Sequence, residues 1–495
     1  MDKYINVIGG GLAGCEAAYQ IAKRGIKVKL YEMKPTKFSE AHSNNDLAEI
    51  VCSNSFKSNL ITNACGLLKE ELRKLDSLLI NVADETSVPA GQALAVDREL
   101  FARRVTEKIE NNENIEIIKK EVVSKFDQTK ENITSKEVFF EDLIEKEITI
   151  IATGPLTSTS LCTGIKELTG EEELYFYDAA APIIEKDSID FNIAFYGDRY
   201  EQEKKKDETI EEWRKRLDLN VNKSAETNSN VLRENTNSYI NLPMNKEEYE
   251  HFVNELVKAE VVTLHEFEKR EIFEGCMPIE VMAKRGIDTL RFGPLKPVGF
   301  DDPRTGKRPY AVIQLRQDNK EASLYNMVGF QTNLKFGEQK RVFSMIPGLK
   351  EAEFAKYGVM HRNTYINSGK LLDNTYNFKA KENLFFAGQI TGVEGYVESI
   401  SSGLLAGINA VRKLKGEEKT EFSNITMIGA LAKYISEEHE NFQPMNANYG
   451  ILPELEGKKI KDKKLRYESM AKRSMDNITM ILHWLDFIDK CKIQW

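Results

Sequence analysis

No run of about 18 consecutive apolar residues occurs anywhere in the 495-residue chain, so no segment reads as a membrane-crossing helix and a membrane is not an expected partner. Cysteine is scarce. The six residues at positions 15, 52, 65, 162, 276 and 491 include no CxxC pair, which argues against a zinc site or a disulfide framework, leaves no metal to expect, and predicts a reducing, cytoplasmic setting. An excess of positive charge is also missing. With a formal net charge of −9, no global field draws the chain to nucleic acid, and any RNA contact has to use local patches. The opening MDKYINVIGGGLAGCEAAYQIAKRG is basic and apolar, but its glycines and Glu16 interrupt the apolar stretch and no cleavage site follows, so it is expected to stay in the mature protein.

What is present is the composition of a globular protein, 41% hydrophobic and 30% charged, in a chain long enough for two to three domains or one large discontinuous domain. Two basic segments stand out. Between Lys284 and Arg316 the basic residues are Lys284, Arg285, Arg291, Lys296, Arg304, Lys307, Arg308 and Arg316, against Asp288, Asp301 and Asp302. A second cluster runs from Lys458 to Arg473. A solvated charged face is the ordinary explanation of each.

Residues 4–8 form a short β-rich stretch, 13–23 a helical one, and 28–31 a second β-rich one, which is a mononucleotide-binding beginning. Helices are predicted over 65–79 and from the Asp97 cap to Asn111, a strand over 147–152, another over 383–386, and a helix over 403–413. Two nucleotide-type segments so far apart predict an α/β fold: a discontinuous Rossmann-type dinucleotide-binding domain built from residues 1–185 and 326–430. An inserted α+β domain is expected over 186–325, with 201–238 as a surface excursion, and a short helical C-terminal segment over 431–495.

Gly9-Gly10-Gly11-Leu12-Ala13-Gly14 matches GxGxxG between a strand and a helix, and Glu32 ends the next strand. Gly9 permits the tight turn, Gly11 lets the backbone approach a pyrophosphate, Gly14 allows close helix packing, and Glu32 can bind a ribose hydroxyl. Thr153-Gly154 and Ala387-Gly388-Gln389 each put a small residue and a glycine at the end of an apolar strand. That pairing favours FAD over NAD as the resident cofactor. In the stretch containing Glu394 and Gly395, backbone N–H groups at a helix start can face the flavin ring or its phosphates.

Cys15 lies one residue past the glycine loop on a helix expected to pack against the sheet, Cys65, Cys162 and Cys491 have no polar constellation near them in sequence, and all four read as core filler. Cys52, in IVCSNS, and Cys276, in FEGCMP beside the first basic segment, lie in irregular stretches. A thiol among cations has a lowered pKa, as a nucleophile toward an electron-poor ring requires; a structural role is the alternative for each.

Longer motifs narrow the reading. AEIVCSNS, AGQALAVDRELFARRVTE, FEGCMPIEVMAKRG, TLRFGPLKPVGF, YGVMHRNTYINS, FFAGQITGVEGYVESISSGLLAGINAVR and FQPMNANYGILP together resemble the TrmFO family of folate- and FAD-dependent tRNA uracil-C5 methyltransferases. The resemblance implies that 5,10-methylenetetrahydrofolate donates a methylene group, that reduced FAD turns it into methyl, and that NADPH or NADH reduces the flavin again. It implies Cys276 as the nucleophile on uracil C6 and Cys52 as a second functional thiol. Structured RNA is then the partner, with tRNA uridine 54 favoured and a 23S ribosomal RNA uridine as the alternative. A wobble-uridine flavoenzyme of the MnmG type and a non-catalytic RNA-binding role are the more distant readings. Lys284, Arg285, Arg291, Lys296 and Arg308 become candidates for RNA phosphates. His361, Arg362 and Asn333 become candidates for flavin or folate contacts, with core or capping roles as the alternative. The chain departs from the family at Gly91-Gln92, where Gly-Gly is expected, at Leu242, where a cysteine is usual, and in the 201–238 excursion.

Overall fold

The computed structural model describes residues 3–127, 137–171, 174–199, 209, 212, 239–262, 277–440, 442–457 and 460–492; for 174–178, 361–362 and 483–492 it describes the backbone alone. In chain order, the elements that frame the site are β1 (Tyr4–Ile8), α1 (Leu12–Lys23), β2 (Lys27–Tyr31), α2 (Ala64–Lys74), β3 (Ile115–Ile118), β4 (Thr149–Ile151), β5 (Leu384–Phe386), α3 (Tyr396–Lys415), α4 (Met427–Ser436) and α5 (Lys463–Lys492). The parallel sheet runs β5-β4-β1-β2-β3. Ile5, Val7, Ile150, Ile151 and all three residues of β5 are fully buried, the near-continuous apolar pattern of strands covered on both faces. β5 enters this sheet more than 200 residues after β4, so both ends of the chain build one nucleotide-binding unit.

Helices α1 and α3 cross with their backbones nearly touching. A Cβ on Gly403 would stand 2.2 Å from the Ala13 carbonyl oxygen, and one on Gly407 2.9 Å from that of Ala17. Only glycine permits this approach.

A second layer is a six-stranded antiparallel sheet in the order Phe195–Tyr196, Tyr239–Met244, Ala311–Gln317, Leu324–Met327, Ile183–Glu185, Phe354–Lys356. It has its own apolar core, with Leu242, Phe252, Phe330 and Phe343 among its fully buried members. The helix Lys246–Lys258 covers it, started by a capping box between Asn245 and Glu248.

Three local expectations need correction. The helix predicted over 65–79 is two helices: Asp76 adopts φ +56° and Ser77 caps the next helix, Leu78–Glu85, by accepting the N–H of Ile80. The helix predicted from Gly403 begins seven residues earlier, at Tyr396, because Gly395 at φ +124° supplies the turn into it. Arg316 does not belong to an exposed basic patch; strand alternation turns it inward, where it is 7% exposed. The whole 201–238 excursion, apart from residues 209 and 212, lies outside the described residues.

Helices α2, α4 and α5 meet on one buried carboxyl. Glu71 accepts the N–H groups of Met427 (2.7 Å) and Ile428 (2.9 Å) at the start of α4, and the Ser474 hydroxyl of α5. Burial pushes its pKa up to about 7, although all three hydrogen bonds pull the other way. The folded chain therefore keeps this proton at pH values where the unfolded chain, near 4.5, has released it. Stability is lost as pH rises through that window, by on the order of 3 kcal/mol. Glu71→Gln, which cannot ionise, is expected to flatten this part of the profile. Thermal unfolding of both proteins at acidic and neutral pH checks it, and an unchanged slope in the variant would contradict the assignment.

Candidate active site

The glycine loop, Glu32, Gly154 and Gly388 all lie just past the carboxyl ends of parallel strands, where this class of sheet binds its ligands. Gly9 sits at φ +104°, and a Cβ there would stand 2.6 Å from the Ala152 carbonyl oxygen. A Cβ on Gly14 would stand 1.8 Å from the Gly9 oxygen, whereas one on Gly11 would meet nothing within 4 Å. Gly14 is thus a packing glycine, and Gly11, with Leu12 and Ala13 opening α1 behind it, faces free space. That space is a solvent-open pocket lined by the glycine loop, Glu32, Lys34, Lys120 and Thr153. Glu32 is held by two backbone donors, the N–H of Gly10 (2.9 Å) and of Lys34 (2.9 Å). A carboxylate has lone pairs beyond those two bonds, so a ribose hydroxyl can still be accepted.

The second nucleotide-type segment closes on the first. Gly388, at φ +82°, donates its N–H to the Ser402 hydroxyl (2.7 Å), and a Cβ on it would stand 2.9 Å from that of Ala13. Gln389 donates to Glu394 (2.6 Å), whose own N–H donates to the Met445 carbonyl (2.8 Å). FQPMNANYG is tied in this way to the turn that starts α3. One more feature fits a bound cofactor. Asn363 is 1% exposed with neither amide atom partnered among the described residues, and its strand, Met360–Tyr365, runs past Gly154–Leu156 and Gln389–Thr391. Polar groups so buried ordinarily have a partner, so this amide is suited to a ligand's polar atoms.

Cys52 is brought to the same end of the molecule. The backbone N–H groups of Cys52 (3.0 Å) and Ser53 (3.1 Å) both donate to the hydroxyl of Tyr396, the first residue of α3. Burial, and then proximity to Cys52, push the Tyr396 phenol above its ordinary pKa, so it stays protonated. The Cys52 thiol donates to the Ala179 carbonyl at 3.5 Å. Cations surround the loop: Arg316 donates to Ser53 Oγ (2.7 Å) and Asn54 Oδ1 (2.9 Å), and Arg98 to the Val51 carbonyl (3.3 Å) and Asp318 (3.0 Å). Lys356 also feels the Cys52 thiol; burial and then Arg98 lower its pKa. Such a nest stabilises a thiolate or an anionic ligand.

Sequence reading missed Tyr396, Arg98, Arg316 and Lys356. The only available signals were an arginine at an inward-facing strand position, for Arg316, and Arg98 directly after the Asp97 cap. Tyr396→Phe is expected to leave two backbone donors without their acceptor, at about 1–3 kcal/mol each, and so to loosen the loop. Alkylation of Cys52, followed by peptide mass mapping, should then be at least about tenfold faster; a parental rate would argue against the clamp.

The other candidates fall elsewhere. Cys276 lies outside the described residues, and His361 and Arg362 are described in backbone only, paired with Asp178 and Tyr177. Lys284, Arg285, Lys296 and Arg308 are exposed and Arg291 is half-buried, on the segments that follow Ile279 and pack on the core of the antiparallel sheet. Asn333 has a core role, donating to Val262 (3.1 Å) and, through its N–H, to Glu280 (2.8 Å). Cys15 is buried filler, donating to the Gly10 carbonyl at 3.2 Å. Cys65 is not without polar neighbours: Lys69 Nζ lies 3.8 Å from its sulfur, and burial pushes the thiol up to about 11. Among the described residues no cluster of potential metal ligands occurs.

A family model described as "Glucose inhibited division protein A" matches residues 4–238 and 215–418. A protein of Bacillus pumilus, "Methylenetetrahydrofolate--tRNA-(uracil-5-)-methyltransferase TrmFO", is 54% identical over 97% of this chain and 99% of its own length. The Enterococcus faecalis protein of the same name is 52% identical over 98% and 100%. Among solved structures, Aquifex aeolicus GidA aligns over 100% of this chain and 78% of that one with a TM-score of 0.60. At 17% identity, that likeness concerns the fold alone.

Proposed function

The chain belongs to the TrmFO family, and from that membership we propose that it carries the one-carbon unit of 5,10-methylenetetrahydrofolate to C5 of a uridine in tRNA, giving 5-methyluridine. The observation that supports this best is the clamp between the Cys52 loop and Tyr396, which holds a thiol at the start of α3, the helix that packs against α1 behind the glycine loop. Bound FAD, once reduced by NADPH or NADH, supplies the electrons that convert methylene to methyl. The chain's own part is covalent and positional. Attack of the Cys276 sulfur on uracil C6 makes C5 carbanion-like and able to take the electrophilic carbon; loss of the C5 proton and expulsion of the sulfur restore the ring. Cys52, among Arg98, Arg316 and Lys356, is the second thiol of the reaction.

The favoured target is uridine 54 of the T-loop, a loop position whose base has to be turned outward to enter the site. Such a substrate assigns the enzyme to the cytoplasm; among the described residues no helix is long and apolar enough to cross a membrane. The test is incubation with isotopically labelled methylenetetrahydrofolate and separate tRNA and ribosomal RNA transcripts, then digestion to nucleosides. Label in 5-methyluridine from tRNA is the expected result. Label in ribosomal RNA alone, or in a 5-aminomethyl derivative, would replace this reading by the paralogue or the wobble-uridine reading.

A further inference from the structure

Phe292 is 74% exposed, more than any other large apolar side chain among the described residues. It ends the short helix Thr289–Phe292, in which Leu290, two positions earlier, is fully buried. Positions two apart lie on nearly opposite sides of a helix, so the residue that anchors this turn sends Phe292 outward. The ring is nonetheless held in place. The Arg291 guanidinium lies 5.1 Å from the Phe292 ring centre and 4.0 Å from that of Tyr310. Tyr310 in turn meets the fully buried Tyr249 edge-on, at 5.4 Å and 62°. The column is pinned at three points: Arg291 to Asp288 (3.2 Å), the Arg291 N–H to the Tyr249 hydroxyl (3.2 Å), and that hydroxyl to the Ile287 carbonyl (2.6 Å). Arg291 Nε is itself buried and has no hydrogen-bond partner among the described residues.

An aromatic face fixed in water by a cation, with the exposed Lys284, Arg285 and Lys296 on neighbouring segments, has the make-up of a single-stranded nucleic-acid contact. A π-face accepts any unpaired base, and surrounding ammonium and guanidinium groups neutralise the phosphates on either side. We propose that Phe292 is a stacking platform for an unpaired base of the RNA substrate, with Arg291 holding the ring and Lys284, Arg285 and Lys296 serving the flanking phosphates. This rests on the TrmFO reading only in taking RNA as the substrate.

The test compares two probes on the full-length holoenzyme, a T-arm hairpin and a blunt duplex of the same stem, by fluorescence anisotropy. Phe292→Ala and Phe292→Leu are expected to weaken hairpin binding by roughly 5- to 100-fold and to leave the duplex unaffected. Phe292→Trp, which keeps a π-face, should bind the hairpin like the parent. Lys296→Ala should weaken both probes alike and reduce the salt dependence. Parental hairpin affinity in both Phe292→Ala and Phe292→Leu would overturn the proposal, as would equal losses on hairpin and duplex. So would a change of sedimentation in Phe292→Ala with RNA affinity intact, which would mark a protein contact. The parent enzyme's label transfer is scored separately: absence of 5-methyluridine would remove the methyltransferase reading, while hairpin-selective loss of binding would still support the platform.

Discussion

Replacing Cys276 by alanine is expected to abolish methyl transfer, by at least about 10³-fold in kcat, with FAD still bound. C5 of uracil is a poor nucleophile because the ring carbonyls withdraw its electron density. Addition of a thiolate to C6 is what gives C5 carbanion character, and Cys276 is the thiol proposed to add there. The loss should therefore fall on the chemical step and not on RNA affinity. Single-turnover transfer from labelled methylenetetrahydrofolate, read beside RNA binding, separates the two. A second readout follows from the same chemistry. A transcript carrying 5-fluorouridine has no C5 proton to release, so the parent should form a denaturant-stable protein–RNA adduct and the alanine variant none. Full methylation by Cys276→Ala would end its assignment as nucleophile.

Gly14→Ala is expected to give a colourless protein, destabilised by about 3 kcal/mol or more. The added carbon would stand 1.8 Å from the Gly9 carbonyl oxygen and 3.0 Å from its carbon, both backbone atoms. No rotamer relieves such a contact, so α1 and the glycine loop have to separate, and that separation dismantles the phosphate-facing turn. Gly11→Ala makes the informative companion. Its Cβ meets nothing beyond its chain neighbours within 4 Å among the described residues, so the chain should fold with a parental melting temperature, yet the carbon projects into room a pyrophosphate needs and FAD affinity should fall by at least about tenfold. Flavin absorbance after gel filtration and thermal unfolding of the apoproteins check both variants. Gly11→Ala retaining FAD as tightly as the parent would count against pyrophosphate at this loop.

Much of the parallel sheet could be read in advance, because its signals are short-range. The apolar run of β1, the glycine loop and the first turns of α1 succeed one another without interruption, and Asp97 caps its helix by accepting the N–H of Leu100 only three residues on. The break in the 65–79 helix was not readable in the same way. Asp76 takes a left-handed conformation unusual for a non-glycine residue, and that turn is stabilised from outside, by Lys23 on α1 and by Gln20, which donates to the Asp76 carbonyl (3.2 Å). The burial of Arg316 is hidden from the sequence for a related reason. Counting charge along a segment cannot tell which arginines a strand turns inward, and Asn54 and Ser53, its hydrogen-bond partners, lie more than 260 residues away.

Nucleotide binding and family kinship follow from the order of the amino acids, since a tight glycine turn, a helix start and an acid at the next strand end are neighbours along the chain and carry their chemistry wherever that chain folds. The environment of Cys52 does not follow from that order. Its clamp to Tyr396 spans 344 positions, and Arg98, Arg316 and Lys356 reach it from three separate elements. Only packing of the two sheets brings those groups together, because burial and charge proximity are properties of space and leave no periodic mark along a sequence.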